Sequence, residues 1–231
     1  MNNIPVIAID GPSGTGKGTV ARLLAAELGW HMLDSGALYR LLALAATDRG
    51  VSLQDENALA RLAPELDIRF GADEQGGEVI LLDGVNVTDR VRSEQTGGLA
   101  SQIAAFPQVR EALVQRQRDF RVAPGLVADG RDMGTVIFPD AAAKIFLTAS
   151  AEARALRRHK QLNGKENDAS LTALFREISA RDERDANRKT APLRPADDAV
   201  VIDTTELDVP GVMERVLEVI RERCPEAFQS R

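Results

Sequence analysis

The segment Gly11–Lys17 constrains the possible fold of this chain more than any other. It reads Gly-Pro-Ser-Gly-Thr-Gly-Lys and fits the pattern G-x-x-x-x-G-K. The apolar run Ile4–Ile9 precedes it, and apolar residues then recur at helical spacing from Lys17 to Leu28. Glycines let successive N–H groups point at phosphate oxygens, and a helix N-terminus attracts negative charge. This order of strand, glycine-rich loop and helix predicts a phosphate-binding loop in an α/β fold.

The lysine of this loop stands out against the composition of the chain. The sequence has 24 arginines and 5 lysines, and Lys17 is the only lysine before Lys144, in a stretch with twelve arginines. Codon bias is our explanation for most of the arginines, whereas Lys17 brings a compact ammonium to the β- and γ-phosphates of a nucleoside triphosphate. The predicted triphosphate-binding residues are Gly11, Pro12, Ser13, Gly14, Thr15, Gly16, Lys17, Gly18 and Thr19.

The residue after the loop lysine is unusual. Gly18 stands where Ser or Thr commonly supplies a hydroxyl ligand to Mg²⁺. With Thr19, the loop reads G-K-G-T, which is similar to the loops of nucleoside-monophosphate kinases. Asp10 and Asp129, each at the end of a predicted strand, are expected either to hold Mg²⁺ through water or to brace the loops.

The rest of the chain alternates strands and helices, which predicts a parallel sheet. Further core strands are predicted at Trp30–Leu33, Gly125–Asp129, Lys144–Thr148 and Ala199–Asp203. Helices are predicted from Ser35 to Leu44 and over Ser93–Ala105, Pro107–Val122, Ala151–Leu162, Leu171–Arg184 and Val209–Arg223. Because ligands bind beyond the carboxyl ends of such strands, we expect Asp10-Gly11, Asp34-Ser35 and Asp129-Gly130 to converge.

Two regions depart from this alternation. Residues 64–92 have strand patterns at Leu66–Phe70, Glu78–Leu82 and Val85–Thr88, with turns at Gly76-Gly77 and Asp83-Gly84, so we predict an inserted antiparallel sheet. Residues 151–190 carry ten basic and seven acidic side chains and predict a short basic lid. The expected architecture is one domain, residues 1–231, of three-layer α/β fold. Its core comprises 1–63, 93–150 and 191–231.

Charge and cysteine content restrict the partners. The net charge of −6 argues against nonspecific nucleic-acid binding, while the basic segment suits a small anionic ligand. A single cysteine, Cys224, fits a reducing compartment. With no apolar run long enough to span a membrane, we expect a soluble cytoplasmic protein, and scattered charge favours a monomer.

Four further motifs point to one family. They are Asp34–Arg40 (DSGALYR), Ser101–Arg110 (SQIAAFPQVR), Asp129–Thr135 (DGRDMGT) and Arg181–Arg188 (RDERDANR). In this order, and with the phosphate loop, they closely resemble bacterial cytidylate kinases over essentially the whole chain. The resemblance implies a P-loop kinase that transfers the γ-phosphoryl group of ATP to CMP or dCMP with Mg²⁺.

The resemblance also implies roles for individual residues. It places Ser35 at the substrate, Arg40 and Arg131 on the CMP phosphate, and Arg181 and Asp185 near the ribose. Lys17, Arg131 and Arg188 are the expected catalytic residues, with Arg188 near the transferring phosphate. Arg157 and Arg158 are candidates for lid contacts to ATP, whereas Arg154, Arg176 and Lys189 are expected to be structural.

The base pocket is the most specific of these expectations. Cytosine presents an amino donor at N4 and acceptors at N3 and O2. Asp132 can accept from the amino group, and Ser101 and Arg110 can donate, as matching positions do in the family. Uracil presents an oxygen where cytosine has the amino group, so a carboxylate there disfavours UMP.

Two alternatives remain at this level. One is a different small-molecule P-loop kinase of adenylate, uridylate or shikimate type. The other is a nucleotide-binding module without turnover, which would need no second phosphate site.

Overall fold

The computed structural model describes residues 4–73, 77–162 and 170–228. In chain order the elements are β1 (Val6–Asp10), α1 (Lys17–Leu28), β2 (His31–Asp34), α2 (Ser35–Asp48), α3 (Glu56–Leu62), β3 (Ile68–Ala72), β4 (Glu78–Leu82), β5 (Val85–Asn86), α4 (Thr88–Arg92), α5 (Glu94–Ile103), α6 (Pro107–Arg118), β6 (Leu126–Gly130), β7 (Ala143–Thr148), α7 (Ala151–Leu162), α8 (Leu171–Ala186), β8 (Val200–Asp203) and α9 (Val209–Arg223). They form two compact units, Met1–Asp34 with Arg118–Arg231, and Ser35–Gln117.

The first unit is built on a five-stranded sheet in the order β2-β6-β1-β7-β8. Every neighbouring pair in it is parallel. The central strands β1 and β6 are buried along their whole length, as their continuous apolar sequences predict. The register pairs Asp10 with Gly130 and Asp34 with Asp129. The segments that follow these three strands therefore leave the same edge of the sheet.

The core of the first unit joins the sheet to two helices. Leu24 of α1 and Val216 of α9 pack in one cluster with Ile7, Val127 and Ile145 of the strands. Each helix contributes one apolar stripe and leaves its other face in solvent, which is the pattern that helical spacing predicts.

The second unit combines a three-stranded antiparallel sheet, in the order β3-β4-β5, with helices α2 to α6. The turn between β4 and β5 is Asp83-Gly84, and both residues have positive φ (51° and 81°). Left-handed conformations at both positions are what an Asp-Gly hairpin turn requires. The predicted turn is thus confirmed at Asp83-Gly84, whereas Gly76 lies outside the described residues.

Helix α2 is almost entirely buried. From Ala37 to Ala46 every residue is buried except Arg40, which is half-buried. Leu41 and Leu42 pack with Leu59 of α3 and Ile80 of β4. Residues 35–63 and 93–117, which the sequence pattern assigned to the core, therefore share a hydrophobic cluster with the antiparallel strands.

Several boundaries differ from the sequence-based prediction. Helix α6 ends at Arg118 instead of Val122, because the backbone turns there: the N–H of Arg121 donates to the carbonyl of Arg118, and the N–H of Val122 donates to that of Phe120. Strand β5 stops at Asn86, since Thr88 begins the short helix α4. Helix α3 was not predicted. The α/β class, with a parallel sheet and a small antiparallel sheet, is confirmed, and no described helix is long and apolar enough to cross a membrane.

Candidate active site

The phosphate loop begins where β1 meets its neighbour β7. Gly11 has a φ of +144°, and a Cβ atom there would lie 2.0 Å from the carbonyl oxygen of Leu147. Only glycine fits such a close approach of two backbones. Gly14 and Gly16 also adopt positive φ, 81° and 91°, and Gly16 directly precedes the first turn of α1. These glycines let the loop curl between the strand and the helix as the motif requires.

Lys17 lies buried at the first position of α1. Its Nζ donates to the carbonyl oxygen of Pro12 at 2.7 Å and lies 3.5 Å from the hydroxyl of Thr15. Burial, together with the positive charge of Arg131, lowers the pKa of Lys17 to about 7. The ammonium is thus poorly solvated. A bound polyanion stabilises its charged form, because the polyanion compensates for the lost water.

The carbonyl groups of the loop bind to side chains of the first unit. Pro12 accepts from Lys17, and also from the hydroxyl of Thr15 at 3.1 Å. The carbonyl of Thr15 accepts from the buried hydroxyl of Thr204 at 3.2 Å. The carbonyl of Ser13 accepts from Nη1 of Arg154 at 3.1 Å. These hydrogen bonds fix the orientation of three carbonyl groups of the loop.

Asp10 ends β1 and reaches the segment that follows β6. Its two carboxylate oxygens accept from the backbone N–H groups of Met133 and Gly134, both at 2.8 Å. These residues open a single π-helical turn, Met133–Ile137. Burial raises the pKa of Asp10 to about 7, although both hydrogen bonds act in the opposite direction. Asp10 therefore braces the turn that follows Arg131 and Asp132.

Asp185 of α8 gathers two of the predicted catalytic arginines. One oxygen accepts from Nε of Arg131 at 3.2 Å, and the other accepts from Nη2 of Arg188. Burial by itself would raise the pKa of Asp185, but the positive charges of Arg131, Arg188 and Arg181 hold that pKa below its usual value. The structure thus brings the distant motifs at 129–135 and 181–188 together around one carboxylate.

The other predicted site residues of the first unit include Asp132, Arg157 and Arg158, and each has different neighbours. Asp132 is buried beside Asp10, and the negative charge of Asp132 contributes to raising the pKa of Asp10. Arg157 donates to Thr204 and to the carbonyls of Thr205 and Leu207. In the basic lid segment, Arg158 donates to Gln161 at 3.2 Å. Lys165 of the same segment lies outside the described residues.

In the second unit, Ser35 and Arg40 both lie on α2. The hydroxyl of Ser35 donates to Oε1 of Gln117 at 2.6 Å, and both side chains are buried. The Gln117 amide in turn donates to the carbonyl of Leu113 at 3.2 Å. Nη1 of Arg40 donates to the carbonyls of Val91 and Ser93, each at 2.8 Å. Arg40 is therefore oriented by backbone at the junction of α4 and α5.

The predicted base-reading residues of this unit, Ser101 and Arg110, are also buried. Nη1 of Arg110 donates to the carbonyl of Ala104 at 3.2 Å, and its guanidinium carbon lies 5.8 Å from the centre of the Tyr39 ring. A buried arginine against an aromatic face is a rigid donor, because packing fixes its plane.

Comparison with known proteins identifies the family. A cytidylate kinase family model matches residues 7–222. The chain belongs to the cytidylate kinase family. The cytidylate kinase of Pseudomonas paraeruginosa PA7 is 61% identical over 215 residues, which cover 93% of this chain and 94% of that protein. The cytidylate kinase of Stutzerimonas stutzeri A1501 is 59% identical over 221 residues, or 95% and 96% of the two chains.

The chain also has a partial likeness to a solved structure. The gluconokinase from Sinorhizobium meliloti 1021 is 16% identical, with coverage of 100% of both chains and a TM-score of 0.49. The assignment to the cytidylate kinases rests on the sequence matches and not on this structure.

Sequence reasoning missed the position of Arg154. It was grouped with structural arginines, yet its guanidinium contacts the phosphate loop. The sequence of the strongly charged helix α7 does not show which of its arginines is buried, because the burial of a side chain depends on tertiary packing.

Proposed function

We propose that this chain transfers the γ-phosphoryl group of ATP to CMP or dCMP, which gives CDP or dCDP and ADP. The observation that carries the proposal is the match to cytidylate kinases over residues 7–222. The loop around Lys17 and the arginine cluster at Asp185 fit phosphoryl transfer, because this reaction depends on positioning and on neutralising oxygen charge.

We assign the donor site to Gly11–Thr19. The loop N–H groups bind the phosphates of ATP, and Lys17 leaves the Pro12 carbonyl to neutralise the β- and γ-phosphates. Arg157 and Arg158 remain candidate ATP contacts. Arg157 also donates to three residues of the 204–207 loop, and these bonds hold that loop in place.

We assign roles in binding the acceptor to residues of each unit, taken separately. In the first unit, Arg131 binds the CMP phosphate, Arg188 lies at the transferring group, Arg181 and Asp185 are near the ribose, and Asp132 accepts from the cytosine amino group. In the second unit, Arg40 binds phosphate, Ser35 contacts the substrate, and Ser101 and Arg110 donate to the base. Because the Ser35 hydroxyl donates to Gln117, its oxygen is left to accept from a substrate hydroxyl.

We also propose that the reaction uses Mg²⁺. Mg²⁺ needs one or two carboxylates together with substrate phosphates, so a cage of three protein ligands is unnecessary. Both oxygens of Asp10 accept hydrogen bonds from backbone N–H groups. The carboxylate of Asp129 lies beside Gly18, because one of its oxygens would be 3.3 Å from a Cβ atom at that position. We propose that one of these two carboxylates, Asp10 or Asp129, holds Mg²⁺, which would add positive charge at the phosphates. We further propose that the enzyme acts as a cytoplasmic monomer without nucleic acid.

A coupled assay of ADP release tests the proposal. The protein is mixed with ATP and Mg²⁺, and then with CMP, dCMP, UMP, AMP or shikimate in separate reactions. We expect the fastest turnover with CMP or dCMP. Faster turnover of AMP or shikimate identifies a different kinase, and ATP binding without ADP release for any acceptor identifies a binding module.

The carboxylate of Asp132 tests the base assignment within this activity. Replacing Asp132 with Ala removes the acceptor for the cytosine amino group, so we expect KM for CMP to rise about 100-fold and KM for ATP to change much less. Steady-state kinetics with each substrate varied in turn measure both constants. Equal increases in the two KM values would remove Asp132 from the base pocket.

A further inference from the structure

A buried arginine outside the assigned donor and acceptor sites contacts the phosphate loop. The side chain of Arg154, on α7, is only 5% exposed. Its Nε donates to the carbonyls of Ala149 and Ser150 at 3.1 and 3.3 Å, and Nη1 donates to the carbonyl of Ser13 at 3.1 Å. The stem of Arg154 also lies close to Gly14, because a Cβ atom at Gly14 would lie 3.1 Å from Cβ of Arg154.

The bond to Ser13 bears on the direction of a loop N–H group. The carbonyl of Ser13 and the N–H of Gly14 belong to one peptide unit, and in a planar trans peptide they point in opposite directions. Arg154 holds the carbonyl on its own side of the loop. The N–H of Gly14 is consequently directed to the opposite side, away from α7. A loop N–H held in this way can bind phosphate without reorganising.

Arg154 is itself fixed by a carboxylate of the neighbouring helix. Nη1 and Nη2 donate to the two oxygens of Asp182 at 3.0 and 2.5 Å, which is a bidentate pair. Asp182 lies on α8 three residues before Asp185, so the two carboxylates share one face of that helix. The same helix that gathers Arg131 and Arg188 through Asp185 therefore orients the phosphate loop through Asp182.

We propose that Arg154, oriented by Asp182, is a positioning residue for ATP: it fixes the Ser13–Gly14 peptide so that the Gly14 N–H binds a phosphate oxygen. This inference rests on the proposed function only in taking ATP as the ligand of the loop. Arg154 does not touch the nucleotide, and it acts through the backbone.

Arg154→Lys is the sharpest test. Lysine keeps the positive charge, but a single ammonium cannot reproduce both the fork to Asp182 and the bond to Ser13. We expect the dissociation constant for ATP, measured by calorimetry without any acceptor, to rise about ten-fold or more. Arg176→Lys, at an exposed position of α8, is the matched control and leaves the constant unchanged.

Two further measurements separate positioning from general support of the fold. The amide signal of Gly14 in ¹H–¹⁵N spectra should move in Arg154→Lys and stay in place in Arg176→Lys. In a double-mutant cycle with Asp182→Asn, the second change should add little to the first, because the fork is already lost. Unfolding in urea defines conditions in which each variant is folded. A folded Arg154→Lys protein that binds ATP as tightly as the parent overturns the inference, as do additive effects of the two changes.

The outcomes also distinguish this inference from the proposed function. A parent protein that binds ATP but does not phosphorylate CMP overturns the proposed function, and the role of Arg154 is still tested by ATP binding. A parent protein that phosphorylates CMP, with unchanged ATP binding in Arg154→Lys, overturns this inference alone.

Discussion

The two units orient their predicted phosphate-binding arginines in different ways. In the first unit, Arg131 and Arg188 donate to the carboxylate of Asp185, and Arg131 also donates to the carbonyl of Gly130. In the second unit, Arg40 donates to the backbone carbonyls of Val91 and Ser93. A carboxylate holds an arginine strongly but offsets part of its charge, and one substitution removes it. A backbone carbonyl leaves the charge in place, and no side-chain substitution deletes it.

Lys17 extends this comparison, because it is a cation held by a backbone carbonyl within the first unit. We expect Lys17→Ala to lower kcat by about 1000-fold or more, since the charge that neutralises the transferring phosphate is lost. The free energy of unfolding should change by less than about 1.5 kcal/mol, because only modest hydrogen bonds are removed. The coupled assay and urea unfolding measure these quantities. Turnover close to that of the parent would refute the assignment of the loop.

In contrast to Lys17→Ala, Asp185→Ala should cause a large loss of stability. It leaves Arg131 and Arg188 together without their buried carboxylate, and breaking a buried pair in this way costs about 3–5 kcal/mol. Asp48→Ala is the control, because it removes an exposed ion pair to Arg90 and should cost about 1 kcal/mol or less. Urea unfolding at neutral pH compares the two variants. Similar losses would show that the cluster does not depend on its carboxylate.

The pH dependence of ATP binding sharpens the comparison for Lys17. With a pKa of about 7 in the free protein, Lys17 is protonated below that pH and loses its charge above it. Phosphates stabilise the charged form, so binding raises the pKa and takes up a proton when the pH is above about 7. We expect ATP affinity to be greatest below pH 7 and to fall by up to about ten-fold per pH unit above it.

Calorimetry in buffers of different ionisation enthalpy measures this proton uptake directly. Lys17→Met is the control, since it should bind weakly and lose the proton uptake assigned to Lys17. Equal proton uptake by the parent and Lys17→Met at pH 8 would contradict the assignment.

The smallest effect is expected at Arg40. Arg40→Lys keeps the charge but cannot donate to two carbonyls in the same planar geometry, so we expect KM for CMP to rise about ten-fold with little change in stability. KM for ATP should change by less than about two-fold, which is much less than the expected change in KM for CMP. An effect on ATP as large as that on CMP would place Arg40 outside the acceptor site.

The parts of the fold that could be predicted are those encoded in contiguous sequence. The strand, loop and helix around Gly11–Lys17 form one local motif, and Asp83-Gly84 specifies its own turn. Helix α3 is only seven residues long, too short for a clear apolar period, and it was missed. The division into units was also hidden, because the apolar face of α2 does not reveal which strand it packs against.

In the candidate site, too, the residues within contiguous motifs could be predicted, whereas the long-range contacts could not. Motif residues such as Asp132 and Arg188 could be named from their neighbours in sequence and from a family resemblance. The bracing of Met133 and Gly134 by Asp10 joins residues more than 120 positions apart, and the contact of Arg154 with Ser13 joins residues 141 positions apart. Such contacts follow from strand order and helix packing, which no local pattern encodes.

The anchored carbonyls of the phosphate loop have a consequence for the entropy of binding. Fixing the backbone of one residue costs about 1–2 kcal/mol of conformational entropy. At Pro12, Ser13 and Thr15 that cost is met when the chain folds, because their carbonyls are bound by the side chains of Thr15, Arg154 and Thr204. ATP therefore meets a loop with little freedom left to lose, and its affinity reflects phosphate contacts more than the ordering of the loop.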